Sequence, residues 1–370
     1  MKYLLVILFV LSIACNTSQP SEVKLQHKGD KHYSIKDSAG LRIITVKEPF
    51  LNANIVERYV LYSKLKGKPQ GVSADVFIGT PIERIGINST THLGFLTVLN
   101  QQHKIVGASN AKLFYDSSFQ QRVAEGKVTE LGNRTLNHEK IIASELDVLF
   151  TFAIDAASYK TVKQLREVGQ PAVLISEFNE SHPINKAMWL EVFGAFFDEN
   201  TQQVADNHLS MVQANYDSIK SESMLYSFLP QVTIGLPWKG TWYVSGAESY
   251  QAQLIRDAGA IYCWQHYKQS QSVPLDIETA VSKGLKADFW INTGTIRNSH
   301  ELKKSNAAFA EFTSFKQKNI YSNYKKSNSL GANDYWEQGV VRPDLILGDL
   351  VAMFHNGGDS SLTFYENVFK

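Results

Sequence analysis

Two distant stretches of this chain, LNHEKIIASELDVLF at 136–150 and LDIETAVSKGLKADFWI at 275–291, share one plan. Each sets a glutamate, Glu139 or Glu278, two residues after a residue suited to cap a helix, Asn137 or Asp276. Each then runs through a short helix to an aspartate, Asp147 or Asp288, that leads a buried-looking apolar strand. Aligning the two glutamates brings the aspartates into near register, with two extra residues in the second copy. A chain that repeats an αβ unit in this way must bury both faces of its strands, so the plan predicts parallel sheets covered by helices.

The same alternation extends outward from both copies. In the first half, ERIGIN, KIVGAS, KVTEL, DVLFTFAI and PAVLISE read as strands, with helices at HLGFLTVLN, HEKIIASEL and YKTVKQLREVG. In the second half, QVTIGLP, AIYCWQ and ADFWINTG read as strands, with helices at SYQAQLIRDAG, DIETAVSKG, NAAFAEFTSF and PDLILGDLVAMFH. Between them, capping chemistry at Asp198–Thr201 and apolar spacing through Val204, Leu209, Val212, Tyr216 and Ile219 predict one helix from Thr201 to Ser223, roughly 35 Å long. The expected architecture is α/β: two Rossmann-like lobes, 81–200 and 225–370, joined by a long backbone helix over 201–224. LRIITVKE and RYVLYSK add a small β-rich appendage over 41–80.

With 370 residues and 44% hydrophobic content, the chain can bury such cores without help from disulfides. The 37 basic and 36 acidic residues nearly cancel and form no basic run, which excludes a nucleic-acid footprint. MKYLLVILFVLSIAC is too short to span a bilayer and reads as a signal peptide over 1–14, with Cys15 placed as in a bacterial lipobox. Lipidation of Cys15 makes it the mature N-terminus, and the polar residues 15–40 then form a flexible tether. Cys263, in GAIYCW, remains as a small buried hydrophobe.

Open α/β sheets bind ligands at loops beyond the carboxyl ends of their strands. Four such loops are NSTTH (88–92), TFAID (151–155), PWKGTWY (237–243) and NTGTIR (292–297). They supply Ser89, Thr90, Thr91, His92, Phe152, Trp238, Lys239, Trp242, Tyr243 and Arg297. Hydroxyls, aromatic faces and cations together suit a large planar or polyanionic ligand, although each aromatic residue could equally be core. The ten histidines show no HxH, HxxxH or HExxH spacing, so no bare-metal site is expected, and His92 and His138 read as helix-start residues. No GxSxG, GxxxxGKS or GxGxxG occurs, and catalysis has no positive support. For Glu139 and Glu278 the local reading is stabilisation of a helix N-terminus; the alternative is a pair of docking charges, one per lobe.

The segments RIGINSTTHLGFL, HKIVGAS, LNHEKIIASELDVLFTF, GTWYVSGAESYQAQLIRDAGAIYCW, LDIETAVSKGLKADFWINTG and DYWEQGVVRPDLILGDL, in this order, resemble the helical-backbone (class III) substrate-binding proteins of ABC importers. The likeness covers about Pro81 to His355. It departs at Leu146-Asp147, where the family has Pro-Asp, and at His355-Asn356, where it has His-Pro. The resemblance implies a lipid-anchored periplasmic monomer that captures a ferric siderophore, or a related chelate such as cobalamin or haem, between its lobes. It implies delivery to an ABC permease and its ATPase, no covalently bound cofactor, and docking of Glu139 and Glu278 onto permease arginines. The alternatives are a receptor for a bare transition metal and a surface-anchored hydrolase on a similar scaffold.

Overall fold

The computed structural model describes residues 32–133, 135–358 and 361–370, so the signal segment and Cys15 lie outside the described residues. The chain enters through a four-stranded sheet, β1 (Tyr33–Ser38), β2 (Leu41–Lys47), β3 (Val56–Ser63) and β4 (Val76–Thr80), in the order β1-β2-β3-β4. β1 to β3 pair antiparallel and β4 runs parallel to β3. Residues 33–40 therefore correct the expectation of a tether reaching to 40. They form β1 and a tight turn in which Ala39 and Gly40 take φ of 51° and 77°, as two-residue hairpins require. YSIKDS is mostly polar because this edge strand is largely open to solvent, which hid it from a hydrophobicity reading.

The appendage is locked to the first lobe by buried polar contacts. The Glu57 carboxylate accepts hydrogen bonds from Arg166 Nη1 at 2.8 Å and from the Tyr159 hydroxyl at 2.6 Å, with Glu57 fully buried. The neighbouring Tyr59 hydroxyl accepts from the Leu174 amide at 3.0 Å. Removing one partner of a buried ion pair strands the other charge. Glu57→Ala is expected to lower unfolding free energy by about 3–5 kcal/mol. A urea titration with an unshifted midpoint would show that the lock contributes nothing.

The first lobe holds β5 (Ile85–Ile87), β6 (Ile105–Ala108), β7 (Thr129–Glu130), β8 (Val148–Thr151) and β9 (Ala172–Leu174), all parallel, in the order β7-β6-β5-β8-β9. β5, β8 and β9 are buried throughout, as strands covered on both faces must be. β8 ends at Thr151, short of the DVLFTFAI run. The helix Glu199–Ser223 then crosses to the second lobe, about 37 Å at 1.5 Å per residue. It begins at Glu199 because Asp198 caps it, accepting from the Thr201 amide at 2.8 Å. Its buried stripe carries Ala205, Leu209, Val212 and Tyr216, while Val204 faces outward.

The second lobe contains β10 (Gln231–Ile234), β11 (Pro237–Trp238), β12 (Thr241–Ser245), β13 (Ile261–Tyr262), β14 (Ser272–Asp276), β15 (Phe289–Ile291), β16 (Ile320–Ser322) and β17 (Glu366–Asn367). Its main sheet has the order β13-β10-β15-β16-β17 and is parallel except for β17. β11, β12 and β14 make a separate antiparallel sheet. The strand-leading aspartates do the same work in both lobes. Asp147 Oδ2 accepts from the amides of Glu83 and Arg84 at 2.7 and 3.0 Å, before β5, and Asp288 Oδ2 accepts from the Gln231 amide at 2.8 Å, at the start of β10. NAAFAEFTSF is a 3-10 turn, Ala307–Glu311, and a single helical turn, Thr313–Lys316, parted by extended Phe312. Phe309 and Phe312 both pack on Trp290, and that shared target accounts for an i, i+3 spacing that reads as α-helix.

Candidate interlobe binding site

In each parallel sheet the chain first builds outward on one side and then returns to the other. The resulting switch points lie between β5 and β8 in the first lobe and between β10 and β15 in the second. The four loops singled out from sequence are the ones that follow these four strands. In the first lobe Asn88 Nδ2 donates to Thr151 Oγ1 at 3.0 Å, tying two of them together. Ser89 caps the helix Thr90–Val98, its hydroxyl 2.8 Å from that of Thr91, and Thr91 Oγ1 donates to the buried Glu177 at 2.7 Å. Ser89, Thr90 and Thr91 are partly exposed, as is Phe152, which packs edge-on against Phe178. Arg297 is exposed and held by Tyr324 O at 3.0 Å.

Two expected cleft residues are core residues instead. His92 sits on the inward face of its helix with its ring against Phe193, and burial pushes its pKa down to about 3, so it is neutral at neutral pH. Trp242 is fully buried among Trp290, Phe309 and Phe312, and its indole donates to Ile234 O at 2.9 Å. PWKGTWY is a hairpin, turning at Lys239 and Gly240 with φ of 51° and 82°, and side chains alternate faces along β12. Trp242 and Val244 therefore point in, and Tyr243 points out. Trp238, 63% exposed, carries Lys239 Nζ over its ring at 4.6 Å.

Between the lobes lies a narrow recess with about 20 Å³ of free space. Thr91, Pro183 and Lys186 line it from the first lobe, and Tyr250, Tyr335 and Trp336 from the second. The lobes are clamped beside it. Glu337 reaches from the second lobe and its carboxylate accepts from the Tyr115 and Asp116 amides at 2.8 and 2.9 Å. At the same contact a Cβ on Gly94 would lie 2.0 Å from Glu337 O, so only glycine permits the approach. The backbone helix adds His208 to Val341 O at 2.9 Å and Lys220 to Asp257 at 2.8 Å.

No family model matches the chain. Two uncharacterized lipoproteins of Methanocaldococcus jannaschii are similar to it. One is 22% identical over 75% of this chain and 66% of its own length, and the other is 24% identical over 81% and 78%. Among solved structures, a possible iron-binding periplasmic solute-binding protein of Staphylococcus epidermidis superposes with a TM-score of 0.56, at 17% identity, over 74% of this chain and 99% of its own. The periplasmic haem-binding protein RhuT of Roseiflexus gives 0.55 at 18% identity, over 75% and 100%. An ABC-type Fe3+-hydroxamate transport protein of Saccharomonospora viridis gives 0.55 at 13%, over 74% and 94%. The fold is that of the class III periplasmic binding proteins.

Within this class III fold, Glu139 and Glu278 are exposed first-turn residues of the helices His138–Ala143 and Ile277–Gly284. Asn137 and Asp276 cap those helices, accepting from the Lys140 and Thr279 amides at 3.0 and 2.7 Å. The helix His138–Ala143 leads into β8 and the helix Ile277–Gly284 into β15, so the two glutamates hold matching places in the two lobes. Glu177, Lys186, Tyr250, Trp336 and Glu337 were not singled out from sequence. DYWEQG belongs to the stretches that resemble the class III proteins, and nothing local in PINKAMW signals an interlobe lysine. Among the described residues no three His, Cys, Asp or Glu side chains cluster as a metal site.

Proposed function

We propose that this chain is the extracytoplasmic, lipid-anchored receptor of an ABC importer. It takes up a metal chelate, such as a ferric siderophore, haem or cobalamin, between its lobes and passes it unaltered to the permease. The observation that supports this best is a switch-point crevice in each lobe, with exposed Trp238, Tyr243, Lys239 and Arg297 on the loops and hairpin of the second, beside a recess between the lobes that Thr91 of the first crevice lines. Aromatic faces and cations offer stacking and charge-assisted hydrogen bonds to a large planar or anionic ligand. The fixed backbone helix and the Glu337 clamp favour small lobe movement on binding.

A thermal-shift screen of the full chain against ferric siderophores, haem and cobalamin tests the reading. At least one chelate should raise the melting temperature, and a screen with no shift would overturn it. In the same samples bound chelate should quench the fluorescence of Trp238. Replacing Trp238 with Phe should remove part of that quenching and leave the part owed to Trp336, which lines the recess, while Trp242 is sealed in the core. Equal quenching in the Trp238→Phe protein would remove Trp238 from the site.

A further inference from the structure

The recess has a chemistry that the four loops do not share. Its walls are largely apolar and aromatic, formed by residues such as Leu254, Val340, Ile346, Tyr250 and Trp336. Among the described residues, the charged side chain that lines it is Lys186. Its ammonium lies 4.4 Å over the Tyr250 ring, where a ring face satisfies charge but none of the three N–H donors. The carboxylates whose charge it feels, Glu177 and Glu180, lie outside the lining of the recess. Glu177 takes the Thr91 hydroxyl at 2.7 Å, and Glu180 takes the Trp189 indole N–H at 2.9 Å.

We propose that Lys186 is the floor contact for an anionic arm of the ligand, and that the cargo is a chelate carrying at least one free carboxylate. This rests on the receptor reading above and deepens it. The free space in the recess, about 20 Å³, is room for a group the size of one or two waters, so it suits the carboxylate tip of an arm and not the body of a chelate. Apolar walls strengthen an ion pair formed there relative to the same pair in water. Burial lowers the pKa of Lys186 and raises that of Glu177, so both charged forms are held at a cost that an incoming carboxylate would relieve for the lysine. A cation is the poorer match, because among the described residues the charged side chain that lines the recess is Lys186, and Glu177 does not line it.

The test titrates the full chain, as wild type, Lys186→Met and Lys186→Arg, with five probes. These are haem, haem dimethyl ester, ferric citrate, neutral ferrichrome and neutral cyanocobalamin. The wild type should prefer haem or ferric citrate, and esterification of haem should weaken it. Lys186→Met should lose affinity for the carboxylate probes by about tenfold or more, while Lys186→Arg keeps most of it. Tightest binding of a neutral probe, or carboxylate binding indifferent to Lys186→Met, would overturn the inference and leave the receptor reading standing. Binding of none of the probes by the wild type would overturn both. If Lys186→Met fails to fold, the wild-type comparison of haem with its ester still decides.

Discussion

If Glu139 and Glu278 dock onto a permease, as we propose from the resemblance, Glu139→Lys with Glu278→Lys is expected to abolish uptake while leaving chelate affinity unchanged. Both carboxylates are exposed, and neither lines the interlobe recess nor belongs to the four loops proposed to hold the ligand, so chelate affinity should change little. Both stand in first helical turns, one in each lobe, so a partner laid across both lobes would meet two charges at once. Like charges forced together at an interface cost several kcal/mol, so the double reversal should reduce transport by about two orders of magnitude or more. Each helix loses only about 0.3–1 kcal/mol of macrodipole stabilisation, too little to unfold a lobe. Transport by the reconstituted importer, measured beside a chelate titration of the free receptor, separates the outcomes. Unimpaired transport would return both glutamates to a purely local role, and lost chelate affinity would move them into the binding site.

The second large effect is a pH dependence centred on the interlobe clamp. Burial pushes the Glu337 carboxyl up to about 7, and Asp334 and Asp116 add to the shift, while the Tyr115 and Asp116 amides oppose it. A carboxyl whose folded pKa is raised binds its proton more readily in the folded state. Its contribution to stability is therefore complete below its ordinary value near 4.5 and is lost as pH rises toward about 7. Glu337→Gln keeps the shape and cannot ionise. Between pH 5 and pH 8 the stability of the wild type relative to this variant should fall by roughly 3 kcal/mol. Asp349, with its pKa raised to about 6, titrates in both proteins and cancels in the comparison, while Asp334, whose charge acts on Glu337, is part of the effect measured. Urea unfolding at the two pH values provides the measurement, and a constant difference between the proteins would show that Glu337 stays ionised throughout.

Much of this molecule is local and was readable from the chain. Caps act within three residues, and Ser89, Asn137, Asp198 and Asp276 all cap the helices that follow them. Strand and helix periods also act over a few residues, so the alternation that builds two parallel sheets was visible before any contact was known. From that alternation the switch-point loops followed by topology alone. The paired aspartates before β8 and β15 already indicated that the two lobes repeat one unit, and both accept amides at the start of the neighbouring strand.

What tertiary structure decided was which side of each loop is wet and which distant residues meet. Trp238 and Trp242 belong to one seven-residue run; only Trp290, Phe309 and Phe312, brought in from elsewhere in the lobe, make Trp242 core and leave Trp238 exposed. His92 was separated from its neighbours Ser89 to Thr91 in the same way, by a helix face turned toward Phe193. The recess joins Thr91, Lys186, Tyr250 and Trp336 across two lobes, and the Glu337 clamp spans 221 and 222 positions of sequence. Caps and periods are set by neighbours along the chain, so the sequence determined the elements and their order. Burial and charge pairing depend on what packs opposite, and only the folded lobes supplied that.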